Sequence, residues 1–433
     1  MSQNVIEQEH MLSTSSPLSS SSSPPTPPLR LLSVNAAAAL LVAENVGTGV
    51  LGLPGFVHTL GFTFGIIFIV LQVPLNLFAG KELCRVASET ESSSSSSNSN
   101  SSSQPNRQRD FFTLSKSLYD SSSSQTPRFV AITYYTNLVL VMANYFLTMS
   151  KSIQAMIGKD RICLTTSGIV AFVQLLIWNQ NDKFKDFGRG PAIFSIFAVV
   201  SVMVISSVSA RFNLEPSVTA TATARDSGDA SLFEKIAACA GICFAIGSQK
   251  LLLNVRQDIE DTADSFTSLK IALLTYVAAY TAVCVVAGPN PTTFLMDSVS
   301  DPILTRICGF LMWSHIAVSF SINCTALCSS IKFKPSENFT KFRWFILTTL
   351  VTLFSWFIAV SIPFFGDLAS LIGALTSVPL TLAFPIYFGL RTTKHPMVAK
   401  LVLGISFLFF ILGTVSSAVD IERKLEKSEA FRC

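Results

Sequence analysis

The chain has 433 residues, 49% of them hydrophobic and only 13% charged, with a mean hydropathy of +0.50. A soluble domain is about 25% charged, so the balance excludes an ordinary soluble protein. The 35 Phe, against 7 Tyr and 4 Trp, supply the apolar bulk that lipid-facing surface requires. A net charge of +4, scattered along the chain, gives no basis for nucleic-acid binding.

Residues 1–32 read as a disordered, cytoplasmic tail: Ser19–Ser23 is an unbroken Ser run, and Pro24, Pro25, Pro27 and Pro28 follow. Such a stretch buries too little surface to fold. It has no apolar core beside a basic start, so no cleavable signal peptide is expected. A bilayer-spanning helix needs about 20 mostly apolar residues, and eleven segments qualify between residues 33 and 419. They are Val34–Leu60, Phe62–Cys84, Phe129–Met149, Ile162–Trp178, Pro191–Ala210, Leu232–Val255, Leu269–Gly288, Ile303–Ile331, Trp344–Ile362, Phe365–Leu390 and Met397–Val419. Residues 85–127 form a long Ser-rich loop, expected to be cytoplasmic and largely disordered. Residues 420–433 are left as a short charged tail.

Basic residues favour a cytoplasmic N-terminus by the positive-inside rule, with Lys151, Lys159 and Arg161 on the contrary side. An odd number of spans then puts the C-terminus on the opposite side. Most of the nine Cys lie in apolar runs, where a free thiol behaves as a small hydrophobe. Cys239 and Cys243, and Cys324 and Cys328, are four apart with no His at ligand spacing, so neither a metal site nor a cofactor is expected.

The chemistry concentrates at two places. In the first segment, Glu44-Asn45-Val46-Gly47-Thr48-Gly49-Val50-Leu51-Gly52-Leu53-Pro54-Gly55 interrupts an apolar span with four Gly and a Pro. Both residue types disfavour continuous helix. Unwound backbone at membrane depth is tolerated only where it lines a cavity or is buried in protein. The run Gly47 to Gly52 also fits G-x-G-x-x-G, but no strand precedes it, which removes the dinucleotide reading. In the sixth segment, Phe244-Ala245-Ile246-Gly247-Ser248-Gln249-Lys250 interrupts a second apolar span. Two interrupted helices in corresponding places of two halves point to a transporter site. Amide N–H groups at a half-helix N-terminus suit a carboxylate, and carbonyls at a C-terminus suit an ammonium or metal cation. A zwitterionic amino acid fits between them. Close packing of small residues is the plainer account of either cluster alone.

These residues carry a resemblance. Gly47-Thr48-Gly49-Val50-Leu51-Gly52-Leu53-Pro54 resembles the first-helix signature of the amino acid/auxin permease family. Phe244, Ala245, Gly247, Ser248, Gln249 and Leu252, with Asp258 and Phe266 beyond, look like its sixth helix and following loop. Phe365-Gly366-Asp367-Leu368, Gly373-Ala374 and Pro385 are similar to its tenth. The resemblance covers residues 33–419. It implies an all-α polytopic membrane protein of about 11 helices, with a LeuT-like 5+5 inverted repeat and one added helix. It also implies alternating-access transport of amino acids, coupled to protons or, in some relatives, to sodium. Carried over, Gly47, Thr48, Gly49 and Val50 hold the substrate carboxylate, Phe244, Ala245 and Gly247 offer carbonyls to its amino group, and Ser248 and Gln249 complete the site.

Three positions set this chain apart from the family pattern: Glu44, usually uncharged; Gln249, often His; and Lys250. Ionisable residues within a span are costly and usually functional. Glu44 reads either as a proton site or as the partner of Lys250 in a structural pair, and Lys250 alone reads as a snorkelling cation. Ser319, Ser321, Asn323 and Thr325 form a polar stretch in the eighth segment, with Ser321 and Thr325 the candidate sodium ligands. Asn137 and Asn144, seven apart, share one helix face and either line the pathway or join helices. The expected partners are an amino-acid substrate, a coupling H+ or Na+ and the bilayer, at the plasma membrane or a vacuolar or lysosomal one. The rivals are a non-transporting amino-acid sensor, a channel, and an intramembrane enzyme, for which no H-E-x-x-H or paired intramembrane Asp is present.

Overall fold

The computed structural model describes residues 32–97, 110–119, 125–158, 161–179, 189–212, 230–289, 291–332 and 341–427. The N-terminal tail and the centre of the Ser-rich loop lie outside the described residues. What is described is helical, apart from short connections and one isolated parallel bridge, Leu32 to Ile259. The first span is a broken pair, α1 (Val34–Asn45) and α2 (Thr48–Leu60), bent by 64°. Then follow α3 (Phe62–Ser97), the short α4 (Phe111–Leu118), α5 (Thr126–Ile157), α6 (Leu164–Asn179) and α7 (Arg189–Phe212). A second interrupted span comprises α8 (Leu232–Ile246) and α9 (Gln249–Asp258). The chain continues with α10 (Ser265–Ala287), α11 (Pro302–Lys332), α12 (Lys341–Ser361), α13 (Phe365–Ile372), α14 (Phe384–Gly389) and α15 (Pro396–Lys427).

Among the described residues nine helices are long and apolar enough to cross a bilayer, and the bent α1–α2 pair makes a tenth. The shorter apolar α6 stands where the fourth segment was expected; its 16 residues rise only about 24 Å at 1.5 Å each. The chain is an integral, multi-pass, all-α membrane protein. Differences from the sequence reading lie at segment ends and in the Ser-rich loop, where Asp110 caps the helix α4 and Phe111 and Leu114 are buried. α3 runs past Cys84 to Ser97, and Ser92 and Ser93 in this extension donate to the Glu89 carbonyl. α15 runs past Val419 through Lys427, so the first residues of the expected tail are helix. There Lys424 Nζ joins Asp420 Oδ2 at 3.2 Å and Asp367 Oδ1 at 2.6 Å.

Caps explain several starts. Ser33 accepts from Ala36 N at the head of α1, and Ser231 with Glu234 forms a capping box at the head of α8. The stretch between α13 and α14 winds as π-helix over Gly373–Ser377 and Pro379–Ala383. Pro379 and Pro385 have no N–H to give the α-helical ladder, and π turns gather at functional sites.

The spans divide into an inner and an outer set. The most apolar windows of α5, of α8–α9 and of α13–α14 are 72%, 78% and 78% buried, whereas those of α3, α12 and α15 are 28%, 28% and 22% buried. The outer set shows Phe64, Ile67, Leu350, Phe357, Leu401 and Leu408 to its surroundings, as lipid-facing helices do. The inner set packs around α8, which touches α2, α13 and α15. Gly373 makes this packing close, since a Cβ there would overlap the Ala240 carbonyl.

On the side where the chain enters α1, polar groups tie three elements together. Leu32 N donates to Asp258 O at 2.5 Å and Glu260 N to Leu32 O at 3.1 Å. Beside them the wholly buried Arg256 of α9 reaches Glu91 Oε1 at 2.5 Å and Ser88 Oγ at 2.9 Å on α3.

Candidate functional site at the two helix breaks

The first break is short. Val46 ends α1 with its N–H on Val42 O, and Gly47 leaves helical geometry at φ −131°, ψ −139°. α2 then starts at Thr48 with no side-chain cap. Thr48, Gly49 and Val50, whose amides open α2, are all buried. An uncapped helix start enclosed in protein presents N–H groups and partial positive charge to whatever lies before it.

The second break mirrors it. α8 ends at Ile246, Gly247 turns out at φ −76°, ψ 91°, and Ser248 opens α9 without a side-chain cap. Gly247 is also sterically required: a Cβ there would stand 2.7 Å from Thr381 Cγ2 in the π stretch.

The two breaks meet. A Cβ on Gly49 would lie 2.9 Å from Ala245 Cα and 3.1 Å from its Cβ, with Phe244 Cε1 at 3.6 Å. The positive start of α2 therefore abuts the carbonyl end of α8. Of the residues chosen from the sequence, the fold brings Gly49 against Ala245 and Phe244.

Side chains from other helices fix the breaks. Tyr280 OH donates to Asn45 O at 2.6 Å, and Tyr276 OH donates to Ile246 O at 2.7 Å and lies 3.0 Å from Ser248 Oγ. Asn144 Nδ2 of α5 donates to Thr48 Oγ1 at 3.0 Å, and Asn137 Nδ2 to Thr376 Oγ1 at 2.8 Å in the π stretch. Gln249 Nε2 donates to Asn76 O at 2.8 Å and Oδ1 at 2.9 Å, while Asn76 Nδ2 returns to Gln72 O, across the Pro74 position of α3. The tyrosines were missed by sequence reasoning. Their signal is two phenols four apart in an otherwise apolar span, since a buried Tyr seeks a partner for its hydroxyl.

The remaining candidates stand as follows. Glu44 lies in the last turn of α1, and its side chain lies outside the described residues. Lys250 is half-buried in the first turn of α9, its ammonium 5.3 Å from the Phe244 ring centroid, within cation–π range. Ser321 Oγ donates to Ala317 O in its own helix, and α11 packs chiefly on α5 and α7 rather than on the first break. The structure thus draws Lys250 to the breaks, and leaves Ser321 engaged with its own helix.

Many apolar spans, with two of them broken and joined at buried helix ends, define a membrane protein built around an internal site rather than a simple anchor. The family described as transmembrane amino acid transporter protein matches residues 31–421, and the chain belongs to that family. No curated protein matches it at a significant level.

Proposed function

We propose that this protein carries amino acids across its membrane by alternating access, as a proton-coupled secondary transporter, with substrate held between the α1–α2 and α8–α9 breaks. The observation that carries this reading is the direct approach of Gly49 to Ala245, which sets an uncapped helix start against a helix end. The amides of Thr48, Gly49 and Val50 take the substrate carboxylate, while Gly47, expected to join them, gives its N–H to Asn45 O at 2.9 Å and forms the turn before them. Tyr280 and Tyr276 already occupy the carbonyls of Asn45 and Ile246, so those of Phe244, Ala245 and Gly247 serve the ammonium. Ser248 and Gln249 complete the wall. The second break falls five spans after the first, in the sixth span, which supports a 5+5 inverted repeat.

Glu44, one turn before the first break, is the coupling proton's site in this reading. A structural Glu44–Lys250 pair is the competing role. Sodium at Ser321 and Thr325 is disfavoured because α11 packs chiefly on α5 and α7 rather than on the breaks. The test is uptake of a labelled amino-acid panel into proteoliposomes with and without an acid-outside gradient. Saturable uptake raised by the gradient, with the increment lost in Glu44→Gln, supports the proposal. Folded protein that binds an amino acid but moves none under proton or sodium gradients would be a sensor instead.

A further inference from the structure

Asn144 is wholly buried at mid-height of α5. Its Nδ2 is spent on Thr48 Oγ1, and its Oδ1 has no hydrogen-bond partner. A buried amide oxygen without a donor is costly to keep, and an apolar residue of the same shape would pack there without that cost. Thr48 is the first residue of α2, at an uncapped helix start. The orphan oxygen is therefore held beside the end assigned to the substrate carboxylate.

A bare acceptor next to a carboxylate site repels the carboxylate itself. In an α-amino acid, however, the ammonium hangs one carbon away from the carboxylate, and it brings N–H donors. Resting on the transport reading above, we propose that Asn144 is a substrate-binding residue whose Oδ1 accepts an N–H from the α-ammonium of the amino acid. The Asn144–Thr48 bond then has two uses: it fixes the amide's orientation, and it leaves the acceptor end for the ligand. Recognition of the ammonium combines the backbone carbonyls of α8 with one side-chain amide from α5, and it favours ligands that keep N–H groups on the α-nitrogen.

The experiment is equilibrium binding to the purified full-length protein of alanine, leucine and other neutral L-amino acids, each beside its N,N,N-trimethyl counterpart, which keeps the positive charge and has no N–H. Wild type, Asn144→Leu, Asn144→Asp and Thr48→Val are compared. A hydrogen bond to a charged group corresponds to about tenfold in affinity or more. Asn144→Leu should weaken the parent amino acid by about that factor, and weaken the trimethyl counterpart much less. Asn144→Asp, which keeps the acceptor, should preserve the discrimination even if Asn144→Leu fails to fold. Thr48→Val should lower both affinities alike. If Asn144→Leu and Thr48→Val shift both ligands equally, Asn144 only positions Thr48 and the proposal is overturned. If Asn144→Asp folds and loses the discrimination, it is overturned too. Wild type that binds no amino acid would instead sink the transport reading on which it rests.

Discussion

Tyr276 and Tyr280 sit one turn apart on α10, ring centroids 5.5 Å from each other, and each hydroxyl closes the open end of a different broken span. One helix thereby registers both breaks. Removing the Tyr276 hydroxyl takes a donor from the buried Ile246 carbonyl, at a cost of about 1–3 kcal/mol. The Asn45 carbonyl keeps the Gly47 N–H at 2.9 Å when Tyr280 loses its hydroxyl, so that loss should be the smaller. Tyr276→Phe and Tyr280→Phe should each lower thermal stability. They share a helix and a ring contact, so the double variant should depart from the sum of the singles. Thermal unfolding of the four forms in detergent measures this, and strict additivity would show that the phenols act independently.

Gly247 makes room for Thr381. Gly247→Ala should abolish most uptake while expression survives, because the added Cβ meets Thr381 Cγ2 at 2.7 Å. Thr381→Ser removes that methyl and keeps the hydroxyl that donates to Ser377 O. The pair Gly247→Ala/Thr381→Ser should recover much of the lost uptake. No recovery would mean that the Thr381 methyl is not what excludes a side chain at 247, and would point to the Cys243 carbonyl, 3.3 Å from the added Cβ.

Arg256 and Glu91 form a buried ion pair on the side where the chain enters α1. Truncating one partner strands a charge, at about 3–5 kcal/mol, whereas replacing both with apolar groups is often neutral. Glu91→Met should therefore be worse for stability than Arg256→Met/Glu91→Met. Thermal unfolding decides, and an equal loss in both would indicate that the pair is solvated in the bilayer-embedded protein.

Lys424 holds α15 to α13 by lying between Asp367 and Asp420. Lys424→Met leaves the two carboxylates facing each other. It should destabilise the protein, and Asp420→Asn in the same chain should restore part of the loss. Because Lys424 is 44% exposed, the effect should be smaller than at Arg256 and should fade at high salt. Unfolding temperatures at low and high ionic strength test the ordering.

Much of the fold was legible because a bilayer imposes a simple length rule. Each of the eleven apolar segments finds its helix or broken pair, and the breaks at Gly47 and Gly247 announce themselves as small and polar residues inside apolar spans. The π stretch was not legible: Gly373, Pro379 and Pro385 look like helix breakers, and which ladder replaces the α-helical one depends on the fit against Ala240 and Gly247. The Ser run after Glu91 was misread at its start, since composition does not reveal that Ser92 and Ser93 satisfy the Glu89 carbonyl of a continuing helix. Tyr280 and Asn45 are separated by 235 residues, and no local pattern connects them. The burial of Arg256 was not legible either, because it is created by α3 reaching beyond Cys84, where its expected span ends.

The Leu32–Ile259 bridge works as a yoke. It fastens the strand of chain entering α1 to the residue that leaves α9, by two backbone bonds that owe nothing to side-chain identity. Those two half-helices lie on one side of the breaks, each linked to its other half by a two-residue joint, Val46-Gly47 and Gly247-Ser248. The main chain itself therefore ties the entry to α1 to the exit from α9, whatever side chains stand there.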